Sequence, residues 1–336
     1  MKFASLRGPA LVKNVIFDRN SLANRDNCFE PYALLREQML GSGIELNTVD
    51  VNAFNNVDIE LHQDVRNFVN ADFNYLLMFE TDLVYSPNGL PSNWQKYRNI
   101  FTWRDDLVDG NKFIKINFPN PLVVPEIDGW CNRNRFCCLI SSNRTLVISD
   151  ERILYTERVN TIRWFEQHAP QDFDLFGVDW NIPVVASGLL GKLQRRFWRG
   201  LTHFIKLRPF PSYCGKIEHK RDVLQHTRFS ICYENVRDLP GYITEKIFDS
   251  FFSGCIPVYW GANNVTHYIP ADCFIDRRNF SDTEAVYIHL KTITEEEFYG
   301  YQQRITAFLT SDAAQLFGSE AFAETIVSTI AKDLGR

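Results

Sequence analysis

FSICYENVRDLPGYITEKIFDSFFSGCIPVYWG, residues 229–261, contains two apolar runs of strand length on either side of a helical pattern. The runs are residues 229–233 and 256–260, and the second is bounded by glycines. The segment between them carries apolar residues at helical spacing: Ile243, Ile247, Phe248, Phe251 and Phe252. The pattern predicts a helix over residues 242–252 that ends at Gly254. The order strand, helix, strand predicts one βαβ unit of a parallel sheet.

Polar side chains follow the first strand of this unit and open its helix. Glu234 and Asn235 come directly after the strand, whereas Tyr242, Glu245 and Lys246 lie at the helix start. In an open parallel sheet, these two places face the ligand crevice. A helix start attracts anions through its backbone N–H groups and dipole, and the lysine adds a positive charge.

This placement predicts a site for a phosphate-bearing ligand. Asn235 and Glu245 are candidates to hold ribose or sugar hydroxyls, and Tyr242 offers a ring face with one polar tip. The alternative is that Glu245 and Lys246 simply lie on a solvated helix face.

Length and composition describe a folded protein of two domains. The 336 residues exceed what one hydrophobic core usually supports, and 45% apolar with 23% charged residues is typical of a globular chain. The net charge of −5 argues against general nucleic-acid binding. No stretch approaches the roughly 20 apolar residues of a membrane helix, and the first residues lack a signal-peptide core. These features favour a soluble, cytoplasmic protein.

Strand and helix signals alternate along the rest of the chain, as in an α/β protein. Strands are predicted at residues 11–17, 44–49, 75–79, 113–118, 136–141 and 173–176. Helices are predicted at residues 31–41, 60–70, 153–168, 295–309 and 317–334. A proline-rich stretch at 117–130 is the predicted connector between domains. The cysteines show no zinc spacing, and we expect Cys137, Cys138, Cys232 and Cys255 to be buried, reduced thiols.

The string ENxxxxxxYITEKxxxxxxxGxxPVxxG, which starts at Glu234, resembles the signature of the family 10 glycosyltransferases. These are the alpha-1,3/1,4-fucosyltransferases that use GDP-L-fucose, and the resemblance is specific over residues 158–276. It implies a GT-B architecture, in which two Rossmann-like domains face each other across a cleft. Residues 1–130 would bind the acceptor and residues 131–316 would bind GDP-fucose, while a last helix at 317–336 packs back on the first domain.

The resemblance also implies an activity. It is the inverting transfer of L-fucose from GDP-beta-L-fucose to a glycan hydroxyl, most commonly that of N-acetylglucosamine in a LacNAc unit. In the family, arginines assist at the diphosphate. The resemblance points to Arg158, with Arg163 on the same predicted helix as the alternative. It also points to Arg199, with Arg195 and Arg196 as alternatives.

The stretch around Arg199, KLQRRFWRGL at residues 192–201, permits two further interpretations. Its basic residues alternate with Leu193, Phe197, Trp198 and Leu201, which is also the pattern of an amphipathic surface that rests on an anionic membrane. The last interpretation is a plain solvated loop. A lipid-bearing acceptor would lie at such a membrane, so peripheral contact with its inner surface is one hypothesis for this protein.

A candidate base follows a strand of the first domain, in NYLLMFETDLVYSPNG. Glu80 comes directly after the apolar run, at a place comparable to that of the family's proposed base, and Asp82 is the neighbouring alternative. An ordinary glutamate pKa of about 4.3 makes a weak base, and partial burial raises it toward working pH.

This hypothesis needs no cofactor beyond the GDP-L-fucose donor, and a divalent cation is at most stimulatory. The expected partners are the donor and an oligosaccharide or glycolipid acceptor. The alternatives are a metal-dependent transferase, a transferase for another nucleotide sugar, or a non-catalytic nucleotide-sugar or carbohydrate-binding protein. In the metal-dependent alternative, manganese would be held by Asp172 and Asp174 or by Asp105 and Asp106.

Overall fold

A computed structural model of the protein describes residues 1–9, 11–52, 57–66, 71–146, 148–185, 188–205 and 207–335. Its strands in chain order are β1 (Lys2–Arg7), β2 (Ile44–Thr48), β3 (Ile59–Gln63), β4 (Phe73–Met78), β5 (Asn99–Thr102), β6 (Phe113–Lys115), β7 (Arg135–Ile140), β8 (Phe173–Phe176), β9 (Tyr213–Gly215), β10 (Thr227–Tyr233), β11 (Ile256–Trp260) and β12 (Ile275–Asp276). Its α-helices are α1 (Glu30–Gly41), α2 (Pro91–Trp94), α3 (Tyr155–His168), α4 (Gly188–Ile205), α5 (Arg221–Leu224), α6 (Glu245–Phe252), α7 (Thr283–Thr292), α8 (Glu295–Leu309), α9 (Asp312–Gln315) and α10 (Ser319–Asp333).

The strands form two six-stranded sheets. The first has the order β2-β1-β3-β4-β5-β6 and the second the order β12-β11-β10-β7-β8-β9. The strand pairings within both sheets are parallel. A parallel sheet is covered on both faces, so its central strands are apolar runs; β4 and β10 are accordingly buried along nearly their whole length. The prediction of an α/β fold with two parallel-sheet domains is confirmed.

The chain divides into two compact units. The first comprises Met1–Leu122, Leu239–Glu245 and Ser311–Arg336, and the second comprises Val123–Asp238 and Lys246–Thr310. The first unit therefore includes a short segment that the sequence pattern assigned to the second domain. Tyr242 in that segment packs its ring on Trp103, with centroids 4.7 Å apart, and on Phe118 at 5.8 Å. This aromatic contact explains why the segment belongs with the first sheet.

The core of the first unit lies between its sheet and helices from both ends of the chain. Tyr32, Leu35 and Met39 of α1 are buried in the same apolar cluster as Phe322 and Ile326 of α10. The Tyr75 hydroxyl donates a 2.9 Å hydrogen bond to Asp333 at the end of α10. The last helix thus supplies part of the first unit's core.

The second unit encloses the βαβ unit that the sequence predicted. β10 pairs with β11, and Ile247, Phe248 and Phe251 of α6 are buried. Gly254 follows the helix with φ +61°, a left-handed conformation that glycine adopts without strain, and it closes α6 as predicted. The helix begins at Glu245, three residues later than predicted, because Gly241 and Tyr242 form a turn that packs within the first unit.

Two predictions in the first half are wrong. Residues 11–17 are not a strand: Lys13 and Asn14 have positive φ values, and residues 15–17 form a single 3-10 turn. The side-chain oxygen of Asn14 accepts a 2.7 Å hydrogen bond from the Thr48 backbone N–H, so the segment is a loop held at the end of β2. The first strand is β1, at residues 2–7 instead.

The helix predicted at 60–70 is also wrong, because β3 occupies residues 59–63, while residues 67–70 lie outside the described ranges. Glu60 and His62 of this strand are fully buried and pair with each other, with Nε2 to Oε2 at 3.0 Å, and Arg7 of β1 binds Glu60 at 2.6 Å. The expected helices in residues 31–41, 153–168, 295–309 and 317–334 are confirmed within two residues at each end.

The stretch at 192–201 lies within α4, so its interpretation as a plain loop is wrong. Among the described residues, no helix combines the length and the apolar character that spanning a membrane requires. All eight cysteines are free thiols, and the four expected to be buried are buried.

Candidate functional site

The carboxyl end of β10 brings several predicted site residues together in the second unit. Glu234 is fully buried, and its backbone N–H donates a 2.8 Å bond to the carbonyl of Trp260 at the end of β11. Lys246, the second residue of α6, lies with Nζ 3.1 Å from Glu234 Oε2. About a fifth of the lysine side chain remains accessible. The pair joins the strand end to the helix start, where the sequence predicted it.

Arg158 reaches the same strand end from α3. Its Nη2 donates hydrogen bonds to the carbonyl oxygen of Tyr233 at 2.6 Å and to Asn235 Oδ1 at 3.1 Å. The guanidinium also lies over the ring of Tyr155, 5.0 Å from its centroid. The arginine is nearly fully buried, so these contacts hold a cation in place beside the strand end. The structure therefore joins two predicted residues, Arg158 and Asn235, that are 77 positions apart.

Arg163, the alternative on α3, is engaged elsewhere. Its Nη1 donates to Glu166 Oε2 and to the carbonyl of Pro209, both at 2.7 Å. Its guanidinium covers the ring of Phe210 at 4.0 Å. These contacts tie α3 to the segment before β9, so Arg158 is the arginine of this helix that meets the β10 end.

Two further arginines converge on Asp179, in the loop after β8. Arg199 makes a bidentate contact with its carboxylate at 2.8 Å, and Arg195 Nη1 donates to Asp179 Oδ2 at 2.7 Å and to the Asn143 carbonyl at 3.1 Å. Burial opposes ionisation of Asp179, but the hydrogen bonds and charges of the two arginines outweigh it, so the pKa of this carboxyl lies below its usual value. Asp179 is therefore an anion at neutral pH that holds both arginines.

These arginines lie at the same edge of the sheet as Lys246. Asn143 follows β7, Asp179 follows β8, and the side-chain amide of Asn143 joins the two loops by donating to the Asp179 carbonyl at 3.0 Å. The carboxyl ends of parallel strands meet at one edge, and β7 lies between β8 and β10. Arg195 and Arg199 thus add positive charge to the edge at which Arg158 and Lys246 also lie.

Tyr242 and Glu245 belong to the first unit's short segment. The ring of Tyr242 is 2% exposed and is enclosed by aromatic neighbours, so it anchors the loop that leads into α6. Trp103 beneath it donates a 2.8 Å hydrogen bond to the carbonyl of Phe79. Glu245 is the first residue of α6. The structure thus gives Tyr242 a packing role that its position in the sequence did not indicate.

Glu80 follows β4 in the first unit, and a buried network fixes its backbone. Asp64 Oδ1 accepts hydrogen bonds from the backbone N–H groups of Phe79 and Glu80 at 3.0 and 2.9 Å. Asn88 Nδ2 donates to the same Oδ1 and to the carbonyl of Glu80, both at 2.8 Å. The half-buried Glu80 side chain therefore projects from a rigid main chain. Asp82, the alternative, is also partly exposed, and its Oδ1 lies 3.7 Å from Nη1 of Arg104.

Asp64 and Asn88 were missed by sequence reasoning. Asp64 adopts a left-handed conformation with φ +57°, and the two residues are 24 positions apart. No spacing pattern signals such a pair. The one available hint is that asparagine and aspartate favour loop positions with positive φ.

Asp64→Ala is expected to lower the free energy of unfolding by about 3 kcal/mol or more, because three buried or partly buried donors lose their acceptor at about 1–3 kcal/mol each. Asp64→Asn is the matched control, because its amide oxygen can occupy the position of Oδ1, and we expect a clearly smaller loss. Urea unfolding followed by circular dichroism measures both. Equal losses for the two variants would contradict the assigned network.

The four aspartates considered as metal ligands each form an ion pair with a lysine or an arginine. Asp172 accepts from Tyr287 at 2.8 Å and from Lys291 at 3.1 Å, and Asp174 binds Arg135 at 2.6 Å. The other two pairs are Asp105 with Lys115 and Asp106 with Arg104, both at 2.6 Å. Within the described ranges, no group of three or more His, Cys, Asp or Glu side chains has a metal-holding arrangement.

Comparison with known proteins finds a similarity over part of the chain that includes this edge of the second sheet. Residues 196–306 match the family model described as "Glycosyltransferase family 10 (fucosyltransferase) C-term". The alpha-(1,3)-fucosyltransferase FucT of Helicobacter pylori is 32% identical over 75 residues, which are 22% of this chain and 16% of that protein. An alpha-(1,4)-fucosyltransferase of Arabidopsis thaliana is 29% identical over 79 residues, which are 24% of this chain and 20% of that protein. The chain thus matches a fifth or less of the length of these relatives.

Solved structures resemble the chain over nearly its whole length. A crystal structure of alpha1,3-fucosyltransferase with GDP has a TM-score of 0.53 at 14% identity, covering 98% of this chain and 90% of that one. Anabaena HepE in complex with UDP-glucose has a TM-score of 0.57 at 10% identity, covering 99% of this chain and all of that one. At these identities the likeness shows the fold. The protein thus shares the fold of these solved structures, and its residues 196–306 resemble the C-terminal part of the family 10 fucosyltransferases.

The matched segment covers the second half of α4, the β10–α6–β11 unit and most of α8. This segment is similar to the C-terminal part of the family 10 fucosyltransferases.

Proposed function

We propose that the protein transfers L-fucose from GDP-beta-L-fucose to a hydroxyl of a glycan acceptor, with inversion at the anomeric carbon. The observation that carries this proposal is the cationic carboxyl edge of β10. There Arg158 bonds to Asn235, and Lys246 pairs with Glu234 at the start of α6. A nucleoside diphosphate carries negative charge that these cations and the helix start are suited to bind. The family match supports guanosine and fucose as the remaining parts of the donor.

The proposed reaction is a single displacement. Glu80 takes the proton of the acceptor hydroxyl as that oxygen forms a bond to the anomeric carbon of fucose. The bond from this carbon to the β-phosphate oxygen breaks, and its electron pair leaves with GDP. Lys246, Arg158 and Arg199 stabilise the negative charge that grows on the diphosphate, and such prearranged donors act most strongly where water is excluded. Under this proposal a divalent cation is at most stimulatory.

The acceptor is proposed to be N-acetylglucosamine within a LacNAc unit, on an oligosaccharide or a glycolipid. The support is the names of several relatives, which describe 4-galactosyl-N-acetylglucosaminide fucosyltransferases at 25–26% identity over 103 residues. Asn235 and Glu245 are proposed to hold hydroxyl groups of the donor. Tyr242 is proposed to act through the loop that precedes α6, because its ring is enclosed.

The experiment that tests this function incubates the purified protein with GDP-fucose and a panel of free glycans. We expect release of GDP together with an acceptor that gains one deoxyhexose, detected by mass spectrometry. GDP-mannose and UDP-glucose are the matched donor controls, because they change the sugar and the nucleotide. Transfer from UDP-glucose alone would replace the proposal with a transferase for another donor. Binding of GDP-fucose without transfer to any acceptor would indicate a binding protein. Loss of activity with chelator and recovery only with manganese would indicate a metal-dependent transferase.

Gly261, just after β11, is expected to be essential for the donor site. A methyl group added there would lie 2.3 Å from the Tyr259 hydroxyl and 2.5 Å from Glu234 Cγ, and both side chains are buried. Gly261→Ala should therefore displace Glu234 and the lysine paired with it, and weaken GDP binding by about tenfold or more. Isothermal titration calorimetry with GDP measures the effect. The matched control is Gly200→Ala, where an added methyl meets nothing within 4 Å. GDP affinity that is unchanged in Gly261→Ala would contradict the role of Glu234.

A further inference from the structure

Helix α4 carries an exposed apolar stripe. Leu190, Leu193 and Phe197 follow one another at spacings of three and four residues, so they lie on one side of the helix. They are 73%, 67% and 62% exposed. Large apolar side chains that are mostly accessible and adjacent to one another mark an interaction surface more often than isolated ones do.

The opposite side of α4 is attached to the second unit. Arg195 and Arg199 lie one turn apart there, and both bind the carboxylate of Asp179. Because these contacts fix the helix by its basic side, the apolar stripe is directed away from Asp179 and toward solvent.

Positive charge covers the side of α4 that faces away from the stripe. At about 100° per residue, Lys192 and Arg196 lie beside Arg199 on this side, and Arg196 is the nearer of the two to the stripe. Both are exposed, and the sequence of residues 188–205 contains no aspartate or glutamate. The whole chain has a net charge of −5, so this basic helix departs from the charge of the rest of the protein. Leucine and phenylalanine on one side with lysine and arginine on the other is the composition of helices that lie in the interface of an anionic membrane.

We propose that α4 is a docking surface for an anionic lipid surface. The stripe of Leu190, Leu193 and Phe197 enters the boundary between head groups and acyl chains, while Lys192 and Arg196 lie among the lipid phosphates. This attachment is separate from the proposed transfer reaction, and it would hold the protein where lipid-linked acceptors are found.

A second copy of the chain fits this surface less well. In a two-fold symmetric contact the same patch meets itself, so Lys192 and Arg196 of one copy would approach those of the other. Like charges at such a contact are unfavourable, and no acidic residue of α4 offsets them. An anionic lipid surface complements both features of the helix at once.

The test measures co-sedimentation of the full chain with vesicles of phosphatidylcholine alone and of phosphatidylcholine with phosphatidylglycerol. We expect binding to the anionic vesicles, weak binding to the neutral ones, and a loss of binding at about 1 M salt, where the Debye length falls to about 3 Å. The triple variant Leu190→Ser, Leu193→Ser, Phe197→Ser should reduce partitioning by about tenfold or more, because its apolar surface is removed. The double variant Lys192→Glu, Arg196→Glu should also reduce partitioning, but only to the anionic vesicles.

The matched control replaces three exposed apolar residues outside α4, Leu22, Leu40 and Ile288, with serine, and it should bind like the wild type. GDP titration of each variant reports the nucleotide site separately, so loss of vesicle binding with intact GDP binding isolates the helix. Absence of binding to anionic vesicles, or equal binding of the stripe variant, would overturn the proposal. A wild-type dimer that the stripe variant converts to a monomer in sedimentation equilibrium, without vesicle binding, would instead identify a second copy as the occupant.

Discussion

Lys246→Ala is expected to weaken GDP binding and to reduce fucosyl transfer by about 10²- to 10³-fold, a loss of about 2.7–4 kcal/mol of transition-state stabilisation. Lys246 lies in the first turn of α6, and its ammonium group is 3.1 Å from the buried carboxylate of Glu234. The lysine would meet the charge that develops on the departing diphosphate, and the helix start adds to its effect. Calorimetry with GDP and steady-state transfer assays measure the two losses independently.

The design must separate the lysine's role in catalysis from its role in folding. Alanine at position 246 leaves Glu234 buried without this partner, which itself destabilises a protein. The double variant Glu234→Gln, Lys246→Ala removes the buried charge, and we expect it to recover stability but not activity. Lys220→Ala is the matched control. It also removes a lysine that pairs with a carboxylate, because Lys220 Nζ lies 2.5 Å from Asp249, which is a residue of α6. Turnover and donor affinity that both survive in Lys246→Ala would refute the proposed diphosphate site.

Glu80→Gln is expected to keep GDP affinity and to lose about 10²- to 10⁴-fold of the transfer rate, the usual contribution of general-base assistance. The amide cannot accept a proton from the acceptor hydroxyl at neutral pH. The Asp64 and Asn88 contacts involve only the backbone of Glu80, so they persist in the variant. Transfer rates and GDP titrations on the same preparation measure the separation between binding and chemistry.

Asp82→Asn is the matched control for this experiment. It removes the neighbouring carboxylate, which lies 3.7 Å from Arg104. We expect transfer to remain near the wild-type rate. A fully active Glu80→Gln variant together with an inactive Asp82→Asn variant would move the proposed base to Asp82.

The sequence predicted the strands that are apolar runs and the amphipathic helices that alternate with them. β10, α6 and β11 were readable because a central parallel strand is covered on both faces and α6 buries one side. β1 and β3 were not readable, because their buried residues include polar ones. The salt bridge of Glu60 with Arg7 and the contact between Glu60 and His62 offset the free-energy cost of burying these two polar side chains. The local sequence around Glu60 gives no sign of Arg7, because the two residues are more than 50 positions apart.

The candidate site was likewise predictable only where it depends on local sequence features. Asn235 and Lys246 were found because strand ends and helix starts are local features, and Arg158 rested on resemblance to a family. Asp64 could not be found, because its function depends on backbone groups that fold against it from another strand end. The enclosure of Tyr242 was also unreadable, because Trp103 and Phe118 reach it from far along the chain.

The burial of α10 in the first unit has a consequence for biosynthesis. All of the second unit is translated before residue 311, whereas the apolar cluster of the first unit is incomplete until Phe322 and Ile326 have left the ribosome. Domains generally fold in the order of their synthesis, from the N-terminus onward. Here the later-synthesised unit is the first to have its full set of residues. Until α10 is synthesised, the apolar residues of the N-terminal sheet that it covers stay exposed. We expect chaperones to bind the nascent chain mainly during this interval.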